Sequence, residues 1–553
     1  MKLHHKSVLL GCTALLAGLT SCSDDTKYDN PSGETYIFTI AVSNGGFTGA
    51  ETINGILDED SKTIEFTIPA ETDIEAVRFA TKLSLGASLD KESYDVSTGA
   101  ADITVVNNQN STVYHASFDI LDPVATPIVR TIQCIDDAGN TCTGFVSDVT
   151  RTVYLNCENS ASASITTVSL LPRRTKYSFT ESTDGKLYAA NPGKIELDFL
   201  GKTAEYDISF AGVPTYGADF ADALVFDNSA TTKIWADFEA ENTRWAQFDG
   251  ENFFFLSREG GTNPSIIKWD DVASGSPVAR KLDTTGIEGG TFTVSAGGIA
   301  HGHFYACNLT TALGATQPLK IYHWADANAT CETLVNMTDD TNVKGRWGDN
   351  MSVTLDENGN GYLWFFAHVA GDEALRFKVE NFTTVAQEPE KVIPPYSVAY
   401  YGSINPVVGE EGIYTLTSTY QRTILLVDID LNLLNRIDPK EGCEFPVTAE
   451  NDARVINFNG ERYMLTTSSH SWSYSGNQTL RVYDLSSGMN TTMAFSDFSE
   501  GNHDVLWSYS LSGGNCSAWS ANTGAAIGPD GKLRLMAAAP RSGFILVEVD
   551  KNK

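Results

Sequence analysis

The chain has 553 residues, 42% of them hydrophobic, and its 38 Lys and Arg against 70 Asp and Glu give a formal charge of −32. That length has room for more than one domain and a large core, while so acidic a surface repels nucleic acid and anionic lipid and excludes both as expected ligands. Nine cysteines are too sparse for a disulfide scaffold. In chain order, Lys2 and Lys6 precede an apolar run from Val8 to Leu19 that stops at Leu19-Thr20-Ser21-Cys22. A positive n-region before a short apolar stretch predicts a signal peptide over 1–21, with Cys22 as the lipidated first mature residue. Without Cys12, lost with the signal peptide, and the lipidated Cys22, seven cysteines remain, an odd number, with Cys134 and Cys142 spaced to staple a hairpin or stay as buried thiols. Residues 22–33 are polar and read as a lipidated tether. From 34 to 122, alternating segments such as Thr63 to Ile68 and Asp102 to Val106 predict an Ig-like β-sandwich.

Pro123 and Pro127 open a linker, and 123–171 reads as that linker with a bridging β segment. Over 172–553 a cadence repeats at intervals of roughly fifty residues, as propeller blades do: strand, turn, aromatic-rich strand, apolar strand. Seven turns carry it, at Gly185, Gly250, Gly302, Gly359, Gly412, Gly460 and Gly531, and five read Gly-x-x-Tyr or Gly-x-x-Phe. Glycine supplies the positive φ of a tight hairpin, and the aromatic begins the next buried strand. The expected fold is therefore all-β, an Ig-like sandwich followed by a seven-bladed propeller.

The runs Ile56-Leu57-Asp58, Thr63 to Pro69, Thr72-Asp73-Ile74 and Leu83 to Ala87, with Phe145 to Arg151, Gly289 to Gly297 and His301-Gly302-His303, resemble an uncharacterised family of Bacteroidetes surface lipoproteins. In that family an Ig-like spacer precedes a propeller-like domain of unknown function. Ser23-Asp24-Asp25 after Cys22 is similar to the export signal of such lipoproteins, which implies a lipid anchor in the outer membrane facing outward. The resemblance implies architecture and location, and no activity.

Function is then sought by position. In a propeller the residues entering each innermost strand, and those linking the second strand to the third, share one mouth of the ring, where a ligand sits. These two sets place Arg244, Trp245, Arg346, Trp347, Asp349, Tyr401, Arg454, His470, Trp472 and Trp519 at the mouth, with His368 among the linking residues. Aromatic faces stack on sugar rings, Arg and Asp satisfy hydroxyls, and Arg offsets the repulsion of an acidic glycan. Taken singly, each aromatic reads more readily as blade packing, and Arg346 with Asp349 as a loop-tying ion pair; only the convergence of several favours binding. His301-x-His303 falls at a hairpin turn away from the mouth and lacks an evident third ligand. Asp356 to Gly361 lacks the closing Glu of a calcium loop and reads as a solvated turn. No nucleophile elbow, zincin motif or phosphate loop is present. No catalytic residue, metal or cofactor is expected. The leading expectation is non-catalytic glycan binding at the cell surface, by a protein that touches the membrane through its anchor alone. An adhesion or protein-assembly platform and a polysaccharide-degrading enzyme are the alternatives.

Overall fold

The computed structural model describes residues 33–553 apart from 183–184, 230–231, 233–242, 258–262, 339–342, 344, 369–372, 395, 399–400, 419–422, 438–449, 469–477, 487–489, 501–504, 513–520 and 541. The signal peptide, Cys22 and nearly all of the tether lie outside the described residues. The protein is all-β and divides into two compact units, residues 1–146 with 153–212, and residues 147–152 with 213–553.

The first unit begins with β1 (Ile37–Gly45), β2 (Glu51–Asn54), β3 (Ile56–Asp58), β4 (Thr63–Ile68), β5 (Phe79–Leu83), β6 (Ser88–Leu89), β7 (Ala100–Asn107) and β8 (Asn110–Ile120). They pair into a three-stranded sheet, β2-β1-β5, and a five-stranded sheet, β3-β4-β8-β7-β6. Strand β4 buries every second residue, as a strand with one solvated face must. Both sheets contribute to one core, with Ile40 and Val42 from β1 and Ile64, Phe66, Ile103 and Phe118 from the other sheet. Phe66 stacks on Phe118 with ring centroids 5.0 Å apart, across the parallel pairing of β4 with β8. The alternation in 34–122 thus becomes a two-sheet sandwich.

The remainder of this unit is one eight-stranded sheet. Its strands are β9 (Ile128–Asp136), β10 (Thr141–Ser147), β11 (Thr152–Tyr154), β12 (Ser162–Leu171), β13 (Lys176–Phe179), β14 (Lys186–Tyr188), β15 (Lys194–Phe199) and β16 (Lys202–Ser209), in the order β13-β15-β16-β11-β10-β9-β12-β14. Two expectations change here. The stretch 123–171, expected as a linker with a bridging β segment, supplies four strands of a sheet, β9 to β12. The segment expected as the first blade, Tyr177 to Leu200, joins the same sheet, because β13 pairs with β15 while β14 pairs with β12.

In the second unit, six blades stand among the described residues, five of four strands and the third of five, where seven were expected. Their innermost strands are Thr243–Phe248, Phe292–Ala300, Ser352–Leu355, Ser403–Pro406, Glu450–Phe458 and Asn522–Ile527. Each lies beside the next, and the sixth lies beside the first, so the six close a ring. The sixth blade takes its outer strand from Leu224–Ser229, which pairs antiparallel with Gly543–Val549. A strand preceding the first blade therefore completes the last one. The convergence of inner strands explains the glycine-rich run at 297–298. A side chain at Gly297 would meet the Tyr305 carbonyl at 2.4 Å, and one at Gly298 would meet Val353 at 2.3 Å. Only a residue without Cβ lets neighbouring strands approach that closely.

The hairpin turns are self-satisfied. Asp356 Oδ1 accepts from the amides of Asn358 and Asn360, and Asp249 Oδ1 accepts from those of Glu251 and Asn252. Backbone donors thus occupy the carboxylate oxygen that a calcium ion would need at 356–361, in keeping with the solvated-turn reading.

Candidate functional site

Five side chains from four segments meet at one end of the ring. Arg244 opens the innermost strand of the first blade, Arg346 and Asp349 precede that of the third, Tyr401 precedes that of the fourth, and His368 links the second and third strands of the third blade. Local chain geometry fixes the central segment. The backbone of Trp347 pairs with Thr310, and Gly348, at φ +90°, lies where a Cβ would come within 2.0 Å of the Asn308 carbonyl. Asn350 Nδ2 donates to the Gly402 carbonyl at 2.9 Å and ties the third blade to the fourth.

Asp349 is the hub and is buried. Its Oδ2 and Oδ1 accept from Arg346 Nε and Nη2, each at 2.6 Å, a two-pronged pair. Arg244 Nη2 lies 3.7 Å from Oδ1 and donates to the Asp349 carbonyl at 3.4 Å. His368 Nδ1 lies 3.2 Å from Oδ2, and its ring meets Tyr401 edge-on at 5.4 Å. The paired carboxylate holds the Arg346 pKa up. Burial pushes the His368 pKa down, against the pull of Asp349, so the imidazole is neutral at neutral pH. Arg346 keeps 34% of its side chain exposed and His368 keeps 20%. One carboxylate facing two guanidinium groups leaves the cluster with a local positive excess in an acidic protein.

The other site expectations divide. Arg244, Arg346, Asp349 and Tyr401 come together as described. Trp245 and Trp347 are only 2% and 1% exposed, so neither offers a ring face to a ligand. The Trp245 indole donates to the Gly297 carbonyl of the second blade, a packing role that burial of its polar atom requires. Arg454 is a stitch, its Nε donating to the Thr523 carbonyl at 2.9 Å and its Nη2 to Gln247 Oε1 at 2.7 Å. Beside it, the buried Asp452 accepts from Ser403 Oγ at 2.8 Å, Asn405 Nδ2 at 2.6 Å and the Thr523 amide at 2.7 Å. His470, Trp472 and Trp519 lie outside the described residues. His368, with its place beside Asp349, was legible only as one of many linking residues.

The turn at His301 holds a different arrangement. His303 Nδ1 is 2.9 Å from Nε2 of His323, and Phe382 stacks on His303 at 4.0 Å. Burial, aided by the neighbouring His303, lowers the His323 pKa from 6.5 to about 4. Above pH 6.5 the imidazole is neutral folded and unfolded and costs the fold nothing; as pH falls from 6.5 towards 4 only the unfolded chain takes up the proton, so stability is lost through that window. The shift corresponds to ~3 kcal/mol. Urea unfolding at pH 7.5 and pH 4.5 should therefore show a stability loss in the wild type that shrinks in His323→Phe. An equal loss in both proteins overturns the assignment.

Known proteins resemble this chain at the level of family and of fold. A model described as a domain of unknown function, DUF4623, matches residues 24–121 and 198–552. Among solved structures, a DUF4623 family protein from Bacteroides eggerthii DSM 20697 is 23% identical, with 94% of this chain and 99% of that one covered and a TM-score of 0.54. That likeness is one of fold. A protein of unknown function from Bacteroides caccae is 12% identical, covering 57% of this chain and 89% of its own, with a TM-score of 0.30. An endo-arabinase from Bacteroides thetaiotaomicron VPI-5482 is also 12% identical, covering 57% and 95%, with a TM-score of 0.28. Neither of these two carries an argument about activity. No curated protein matches the chain.

Proposed function

The chain belongs to the DUF4623 family of domains of unknown function, and from its ring geometry we propose that it captures a carboxylate-bearing glycan without chemically altering it. The observation that carries this reading is the convergence of Arg244, Arg346 and His368 on the single carboxylate of Asp349 at one end of the ring. Asp349 holds the guanidinium of Arg346 in a fixed orientation. Its exposed part then meets an acidic sugar already oriented, which lowers the ordering cost of binding. The neutral imidazole of His368 supplies a hydrogen-bonding group for a hydroxyl. Because Trp245 and Trp347 are buried, recognition rests on charge and hydrogen bonding at these residues. In this reading the protein is held at the outer-membrane surface by a lipid on Cys22, with the first sandwich as a spacer. Among the described residues no helix is long and apolar enough to cross a membrane.

The test is a glycan array probed with the soluble protein lacking residues 1–22, followed by titration of any retained oligosaccharide. Acidic glycans should be retained over neutral ones and released as salt rises. Arg346→Ala should weaken binding at least about tenfold, the equivalent of one charge-assisted hydrogen bond. Retention of no glycan, or unchanged affinity in a folded Arg346→Ala protein, overturns the reading. Retention of a protein partner in its place would favour the docking-platform alternative.

A further inference from the structure

A second cluster lies in the first unit, within the eight-stranded sheet and far in chemistry from the ring. Cys134 on β9 stands directly opposite Cys142 on β10 in the strand register. Cys157 follows β11, the neighbour of β10 in the sheet. The three sulfur atoms all lie within 4.8 Å of one another, and Sγ of Cys134 is 3.7 Å from Sγ of Cys157. Cys134 and Cys157 are buried and Cys142 is partly exposed. These residues fall in the stretch between the two segments that match the family model, so the feature is argued for this chain alone.

We propose that Cys134, Cys142 and Cys157 form a binding site for one thiophilic d10 cation, of the class of Zn(II). A Zn–S bond of about 2.3 Å sets the sulfurs of a shared ion about 3.8–4.0 Å apart, close to the 3.7 Å between Cys134 and Cys157, with the third sulfur no more than 4.8 Å from either. A disulfide requires two sulfurs at about 2.05 Å and leaves the third unused. Three thiols converging on one point suit a shared ion better than any pair. Two are buried and the third reaches solvent, so the ion has an entry path, and water completes the tetrahedron. A cysteine thiol of ordinary pKa, about 8.5, is mostly protonated at neutral pH. Binding therefore releases three protons as three Zn–S bonds form, leaving a trithiolate complex of net charge −1, and affinity rises with pH. The ion would join β9, β10 and the segment after β11, stapling the centre of the sheet.

The experiment is competition of the reduced full-length soluble protein with a chromogenic chelator for Zn(II), with metal content measured on the isolated complex. One Zn(II) per chain is expected, with three fewer thiols reactive to a thiol reagent and proton release on binding. Cys142→Ser, at the partly exposed position where folding is least threatened, should lower affinity more than about tenfold, as should Cys157→Ser. Cys331→Ser, outside the cluster, should leave affinity unchanged. Failure to take up Zn(II), uptake unaffected by Cys142→Ser, or a disulfide among the three in protein isolated without reductant would each overturn the proposal.

Discussion

Asp349→Ala is expected to lower the unfolding free energy of the ring by about 3–5 kcal/mol, the range found when one partner of a buried ion pair is removed. The loss exceeds that of the ion pair itself because Arg244 is almost wholly buried and would lose a carboxylate 3.7 Å away with little room to rehydrate. Arg346, with a third of its side chain in solvent, can turn outward and rehydrate. Replacing Arg346 by Ala removes two hydrogen bonds from the Asp349 carboxylate, but Arg244 remains 3.7 Å away and the vacated space opens to water, so the loss should be smaller, about 1–2 kcal/mol. All nine tryptophans follow residue 212, so their fluorescence during urea unfolding reports on the ring unit and not on the sandwich. Equal stability losses in Asp349→Ala and Arg346→Ala would contradict the asymmetry. If Asp349→Ala abolishes folding, Asp349→Asn, which keeps the shape and removes the charge, should still be less stable than Arg346→Ala.

Asp452→Ala should be as damaging, for a different reason. This carboxylate is fully buried and accepts from Ser403 and Asn405 of the fourth blade and from both the amide and the hydroxyl of Thr523 in the sixth, while itself belonging to the fifth. Removing it takes the acceptor from four donors at the centre of the ring, of which Asn405 Nδ2 keeps a second acceptor, the Ala453 carbonyl at 3.0 Å. With about 1–3 kcal/mol for each buried donor left unmade, partly recovered by relaxation and entering water, a net loss of about 3–5 kcal/mol is expected. Glu332→Ala, at a mostly exposed carboxylate, should change stability by less than about 0.5 kcal/mol. Urea unfolding followed by tryptophan fluorescence separates the two, and an Asp452→Ala protein within 1 kcal/mol of the wild type refutes the stitching role.

The six innermost strands were legible because their signal is local: an apolar run, a turn with a glycine at positive φ, in three of them an Asp that accepts from its own backbone, then a second apolar run that in five has an aromatic residue near its start. The same signal at Gly185 misled, since β13 and β14 carry a blade's local pattern yet pair with β15 and β12. Pairing between distant segments leaves no mark in a short window. Leu224–Ser229 illustrates the converse, a strand of the sixth blade that sits ahead of the first. At the site, position along the ring was readable and exposure was not. Arg346 and Trp347 are adjacent in sequence at the entry to one strand, but the guanidinium reaches solvent while the indole is buried. Which of two neighbours faces the mouth depends on packing by blades that the local sequence does not contain.

The pairing of Leu224–Ser229 with Gly543–Val549 also imposes a timetable. During synthesis the early strand is made before any blade exists and must wait, with its backbone donors and acceptors unpaired, until every blade has followed. Through that interval the unfinished ring presents two open strand edges, which invite pairing with another chain. The long separation of the joined segments makes closure slow as well as late. A carrier that keeps Leu224–Ser229 covered until Gly543–Val549 is released would therefore raise the yield of closed rings more than it would change their final stability.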